Sequence, residues 1–234
     1  MIQQHRQIDG RDFFWLVNNT EVDQDATVLV QNATGAASIW DAETGTVRPI
    51  TSEVAGAGSR LNLSFKPNEA FYLVMDPKQP ATQSQPELPM TRSTPLEGPW
   101  TWRIDALAQP PVPNVVALPP ELISESGVER ELVSWNQHGL EKFSGYVDYT
   151  TEVEISSDSE RLILDLGRVQ HLAEVWVNGQ SVGSRLWAPY AFDVAKAARP
   201  GKNHVRVRVG NLISNNMGVP SESGLFGPVT LKAP

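Results

Sequence analysis

Cysteine is absent from the 234 residues, which removes disulfides, thiolate nucleophiles and thiolate metal sites together. Histidine is scarce, four in all, and no pair has the His-x-x-x-His spacing of a transition-metal site. An Asp/Asn-rich loop of the EF-hand type is missing too, so no cofactor is expected from the residues themselves. Positive charge is in short supply: 19 Lys and Arg stand against 27 Asp and Glu, a net charge of −8 and a pI near 5.0. Without a basic field to gather phosphates, no nucleic-acid partner is expected. No apolar run approaches the ~20 residues of a membrane-spanning helix, and the opening MIQQHRQIDG lacks the apolar core of a signal peptide. No membrane partner is expected either. A catalytic (β/α)₈ barrel with accessory modules does not fit this length, because the barrel alone takes about 250 residues.

What is present is glycine, proline and tryptophan. The 17 Gly and 18 Pro promise many turns, seven Trp are unusually many, and 40% apolar residues is a globular composition. Period-two patterning dominates. Asp12–Val17, Ala26–Val30, Leu61–Phe65 and the nearly continuous apolar run Phe71–Met75 read as strands, and Asp41 with Gly45 reads as a turn joining Trp40 to Thr46–Arg48. From Asp76 to Pro95 the composition shifts to DPKQPATQSQPELPMTRSTP, a semi-rigid spacer. Beyond it Val147, Tyr149, Thr151, Val153 and Ile155 share one face. Asp148, Thr150, Glu152 and Glu154 share the other, which predicts a sheet wet on one side. Asn178-Gly179 is a strong hairpin signal, and Val205, Val207 and Val209 alternate with His204, Arg206 and Arg208. The reading is all-β: two β-sandwich domains, at 1–78 and 95–234, joined by a linker at 79–94.

The second half carries a family pattern. Val175-Trp176-Val177-Asn178-Gly179, Gly183, Trp187-Ala188-Pro189-Tyr190, Phe192-Asp193-Val194 and Pro200-Gly201-Lys202-Asn203 follow one another before a strand ending at Asn211. That order resembles the galactose-binding-like jelly roll of glycoside hydrolase family 2 and its relatives. Upstream, His5-Arg6, Asp9-Gly10, Asp12-Phe13-Phe14-Trp15-Leu16-Val17-Asn18 and the Trp40–Gly45 turn resemble the β-sandwich behind the barrel in glycoside hydrolase family 106, the α-L-rhamnosidase-like enzymes. Leu96-Glu97-Gly98-Pro99-Trp100 and Ser223–Val229 resemble further strings of that family. The resemblance implies an accessory, non-catalytic piece that binds carbohydrate, a rhamnose- or galactose-containing glycan. It equally implies a structural role, buttressing a catalytic barrel through an apolar patch near Phe13, Phe14 and Trp15. It also implies an extracellular or periplasmic setting for an exported parent enzyme, and leaves room for a structural calcium ion.

Candidate residues divide by chemistry. Sugar recognition needs an aromatic plane for the C–H face of a pyranose and a few polar groups for its hydroxyls. Trp187 and Tyr190 with Arg185, His171, Asn211 and Asn215 are the candidates for that work. Glycoside hydrolysis needs two carboxylates flanking the bond. Asp148, Glu152, Glu154, Asp165 and Glu174 fall on the polar phase of predicted strands and read as a solvated face, while Asp41 and Asp193 read as turn caps. His138, in Asn136-Gln137-His138-Gly139, has no Ser and Asp partners at readable spacing.

Overall fold

The computed structural model describes residues 2–20, 22–81, 90–111, 116–156 and 160–234. The chain divides into two compact units, Met1–Leu88 and Pro89–Pro234. Residues 82–89, the middle of the expected linker, lie outside the described residues.

The first unit is built of β1 (Ile2–Ile8), β2 (Arg11–Val17), β3 (Gln24–Val30), β4 (Ala36–Trp40), β5 (Val47–Ile50), β6 (Glu53–Ala55), β7 (Gly58–Phe65) and β8 (Ala70–Asp76). They form a five-stranded sheet, β1-β2-β8-β4-β5, and a three-stranded sheet, β3-β7-β6, with antiparallel pairing throughout. Alternation decides the core: Leu16, Phe71, Leu73, Met75, Ala37 and Ile39 from one sheet meet Val30, Leu61, Leu63 and Phe65 from the other. The Asp41 turn forms as expected. Its carboxylate accepts from the backbone N–H of Glu43 and Thr44 at 2.8 and 3.1 Å, and Gly45 takes φ +69°.

The second unit contains β9 (Arg92–Pro95), β10 (Trp100–Arg103), the single-turn helix α1 (Pro120–Ile123), β11 (Val128–Arg130), β12 (Tyr146–Ile155), β13 (Ile163–Asp165), β14 (Arg168–Gln170), β15 (Leu172–Val177), β16 (Gln180–Arg185), β17 (Ala191–Asp193), β18 (Gly201–Gly210), β19 (Gly224–Gly227) and β20 (Thr230–Ala233). A six-stranded sheet, β11-β10-β12-β18-β15-β16, faces a four-stranded sheet, β17-β13-β20-β9, and the pair β14-β19. Trp102, Tyr149, Val175, Val205, Val207 and Val209 from the large sheet share one core with Leu164, Phe192, Val169 and Leu225. Trp135, also in that core, donates its indole N–H to the Tyr149 hydroxyl at 2.5 Å. Asn178 and Gly179 sit at φ +52° and +81°, the geometry a two-residue β15–β16 hairpin requires. Asn203, fully buried, ties that turn to its neighbour by accepting from Asn178 Nδ2 at 2.8 Å and donating to the Arg199 and Gly201 carbonyls.

The outer face of the large sheet is not wet at every polar position. Asp148 is 5% exposed, because Arg208 on the adjacent β18 donates from Nε and Nη2 to its two oxygens at 2.7 and 2.8 Å. Arg206 stacks 3.8 Å over the Trp176 ring beside them. The solvated role expected for Asp148 is corrected accordingly: a charged side chain leaves water when its cross-strand partner supplies a planar, bidentate fork. Glu152 and Glu154 further along β12 are exposed as expected.

Candidate functional site

One end of the six-stranded sheet gathers all six expected sugar contacts. Ladder pairing sets Ala173 opposite Arg185 on β16 and Leu172 opposite Gly210 on β18, which in turn faces Tyr146 on β12. His171 therefore sits just before β15, Arg185 at the end of β16, and Asn211 just past β18, on neighbouring strands. The His171 N–H donates to the Gly210 carbonyl at 2.8 Å, and Asn211 and Gly145 exchange two bonds, N–H to carbonyl at 3.3 Å and Gly145 N–H to Asn211 Oδ1 at 2.9 Å. Tyr190, returning from the loop after β16, donates its hydroxyl to the His171 carbonyl.

These residues split into braces and rim. Asn215 is fully buried; its Nδ2 donates to Ser221 O at 3.0 Å, Ser223 Oγ at 3.2 Å and Glu141 O at 3.3 Å, and its Oδ1 accepts from Ser221 Oγ. Asn211 Nδ2 donates to Phe143 O at 2.7 Å and to the same Ser223 hydroxyl at 3.0 Å. The pair fastens segments 141–145, 211–215 and 221–223 around buried Ser223, so the expected sugar-contact role of Asn215 is replaced by a structural one. Tyr190, 7% exposed, has its ring in the core and its hydroxyl on His171, which leaves no open ring face for stacking. The rim is Trp187, 36% exposed, two residues past Arg185 at the end of β16, the strand paired with the β15 that follows His171. Arg185 lies 5.3 Å over the Phe192 ring and donates to Ser184 O at 3.1 Å. Burial pushes the His171 imidazole below its ordinary value, and its Nε2 is buried without a hydrogen-bond partner among the described residues. A guanidinium and a partly open indole can stack on and hydrogen-bond a neutral polyol.

Sequence reasoning did not foresee the aliphatic side of this rim. Leu186, Leu212, Ile213, Met217 and Val219 are 47–74% exposed in the same two loops. The Asn211–Gly218 segment lacks the alternation by which strands were found, so its apolar residues carried no periodic signal. In the first unit Phe14 turns inward, stacked on His5 at 4.3 Å and packed against the core, whereas Phe13 and Trp15 point to the opposite face.

Other chemistry-bearing groups are engaged structurally. Gly179-Gln180-Ser181-Val182-Gly183 has the lettering of a nucleophile elbow, but it lies in an antiparallel hairpin with Ser181 opposite Trp176, not at a strand-to-helix turn. His138 Nδ1 is 2.8 Å from Arg130 Nη1, whose Nη2 pairs with Glu121 at 3.0 Å; burial first, and then the Arg130 charge, hold the imidazole below its ordinary value. Asp193 caps its turn through the Ala195 N–H at 3.0 Å, and Asp165 pairs with Lys232. Among the described residues no group of three His, Asp or Glu is placed to hold a metal ion.

Residues 121–228 match the family model of the glycosyl hydrolase 2 galactose-binding domain-like, and the second unit carries a domain of that kind. Over 110 residues, 44% of this chain, it is 34% identical to a Formosa agariphila protein that carries a β-glucuronidase name. Across 98% of its length the chain is similar in structure to a rhamnosidase from Novosphingobium sp. PP1Y, with a TM-score of 0.73 and 26% identity. It spans 10% of the first protein and 23% of the second. The chain is thus related to glycoside hydrolases through domains of accessory type.

Proposed function

We propose that the chain is a non-catalytic module of a rhamnosidase-like glycoside hydrolase and that its second unit binds carbohydrate at the strand-end rim around Trp187. The observation that carries this reading is the division of labour at that rim. Asn211, Asn215 and Tyr190 hold the loops by bonds within the chain, while Trp187, two residues past Arg185, stays open. A preorganised aromatic with fixed polar neighbours is what weak, selective polyol recognition requires. Calorimetric titration with rhamnose- and galactose-containing oligosaccharides tests it. Saturable binding that weakens about tenfold in Trp187→Ala, roughly 1.4 kcal/mol, is expected. Undiminished binding by that variant would overturn the site.

A second reading, domains that buttress a catalytic barrel, draws on the exposed Leu212, Ile213, Met217 and Val219. Aliphatic side chains serve protein contacts better than sugar hydroxyls. Association of this chain with a separately expressed rhamnosidase barrel, weakened by Ile213→Ser and Met217→Ser, would favour it.

A further inference from the structure

The first unit carries a second aromatic surface, on the opposite side of the five-stranded sheet from its core. Trp15, Phe13, Tyr72 and Trp40 project from the adjacent strands β2, β8 and β4: ladder pairing sets Trp15 opposite Tyr72, and Tyr72 opposite Trp40. Their rings form one contiguous cluster, with centroids 4.6 Å apart for Trp15–Tyr72, 6.5 Å for Phe13–Tyr72 and 5.6 Å for Phe13–Trp40. Tyr72, at the centre, is 38% exposed, and its hydroxyl makes no hydrogen bond among the described residues. Val74 beneath is 2% exposed, so the rings and not the backbone form this surface.

Two cations border the cluster. Arg11 lies 5.9 Å from the Trp40 centroid, and Arg6 on β1 stands opposite Phe13 in the ladder. Arg6 is exposed and makes no ion pair or hydrogen bond among the described residues. The outward residues of β2, β8 and β4 are otherwise Val17, Ala70, Val74, Asp76, Ala36 and Ser38, without a leucine, isoleucine or methionine, and exposed Ile8 on β1 and Val47 on β5 stand opposite Arg11 and Trp40 at the flanks. This composition differs from the aliphatic rim of the second unit. Ring faces with donors at their margin suit the C–H faces and hydroxyls of pyranoses. Three strands at ~4.8 Å spacing give a ring surface roughly 10 Å wide, broad enough for more than one sugar ring.

We infer that the outer face of β2-β8-β4 is a second carbohydrate-binding surface, taking neutral oligosaccharides of at least two units by stacking on Tyr72 and Trp40. It rests on the reading of the chain as a glycoside hydrolase module but not on the Trp187 rim. The test is NMR of the indole N–H signals of the full chain during titration with rhamnose- and galactose-containing tetrasaccharides. Signals of Trp15 and Trp40 are expected to shift saturably, in the parent chain and in Trp187→Ala alike. Tyr72→Ala should weaken that response about tenfold. Arg6→Gln, an exposed change that leaves the rings in place, should weaken it severalfold, which keeps the test valid if Tyr72→Ala does not fold. Shifts at Trp187 alone would overturn this surface and leave the rim standing; shifts at Trp15 and Trp40 alone would do the reverse. If no tetrasaccharide moves any indole, or only an added rhamnosidase barrel moves those of Trp15 and Trp40, the carbohydrate assignment falls.

Discussion

Asparagine shows how little a residue type reveals until its bonds are known. Asn211 and Asn215 were attractive as sugar contacts because their amides donate and accept, yet the same capacity is used to fasten three chain segments around Ser223. Nothing in a lone sequence tells an inward amide from an outward one. Asn215→Ala leaves several buried groups without partners and is expected to cost about 2–3 kcal/mol in urea unfolding. Trp187→Ala, at an open position, should stay within about 0.5 kcal/mol; equal losses would refute the split between braces and rim. The two shifted histidines give a signed pH effect. For His138 and His171 the folded state holds the imidazole below its ordinary value of 6.5, so the unfolded chain binds protons first as pH falls. Their stabilising contribution is fully present above 6.5 and is lost as the pH drops from there towards the lower folded values. NMR titration of the ring protons should give midpoints below 6.5 for both, and a midpoint at or above that figure would contradict the burial seen here.

Strands were legible where one face alternated cleanly. The valine ladder of β18, the Val147–Ile155 stretch and the Asn178-Gly179 hairpin all form where the pattern put them. β1 gave no such signal: its residues 3–8 are exposed, and it is held as an edge strand by pairing with β2. Asp148 departs from the pattern for a related reason. Alternation tells which face a side chain occupies, but not that Arg208 arrives from the next strand to cover it. The hydrogen bonds that Arg208 donates to Asp148 hold its guanidinium above its ordinary value against the opposing pull of burial. Asp148→Ala should cost about 3–5 kcal/mol, since it strands a nearly buried cation, and replacing both partners by apolar residues should cost less than either single change. Turn glycines separate strain from collision. Gly179→Ala, at φ +81° with open space around the new methyl, should cost about 1 kcal/mol. Gly35→Ala, at φ +102° with its Cβ placed 2.2 Å from the Asp76 carbonyl oxygen, should destabilise the first unit far more.

Charge belongs to the entire chain. A net −8 forecasts passage through a heparin column at physiological salt without retention. Retention would point to Arg206 and its neighbours on the large sheet as a local exception. The all-β class was legible in composition and period, and the kinship with glycoside hydrolases in the string from Val175 to Asn211. The exposed ring cluster of the first unit was only half legible: Phe13 and Trp15 are adjacent in sequence to the inward Phe14, but Trp40 and Tyr72 reach them only through strand order. The Asn211–Ser223–Asn215 clasp has a practical corollary. Because the knot that shapes the strand-end loops is tied by residues other than the outward indole, position 187 can be varied without untying it. Variation there offers a route to altered ligand preference, natural or designed, on an unchanged scaffold.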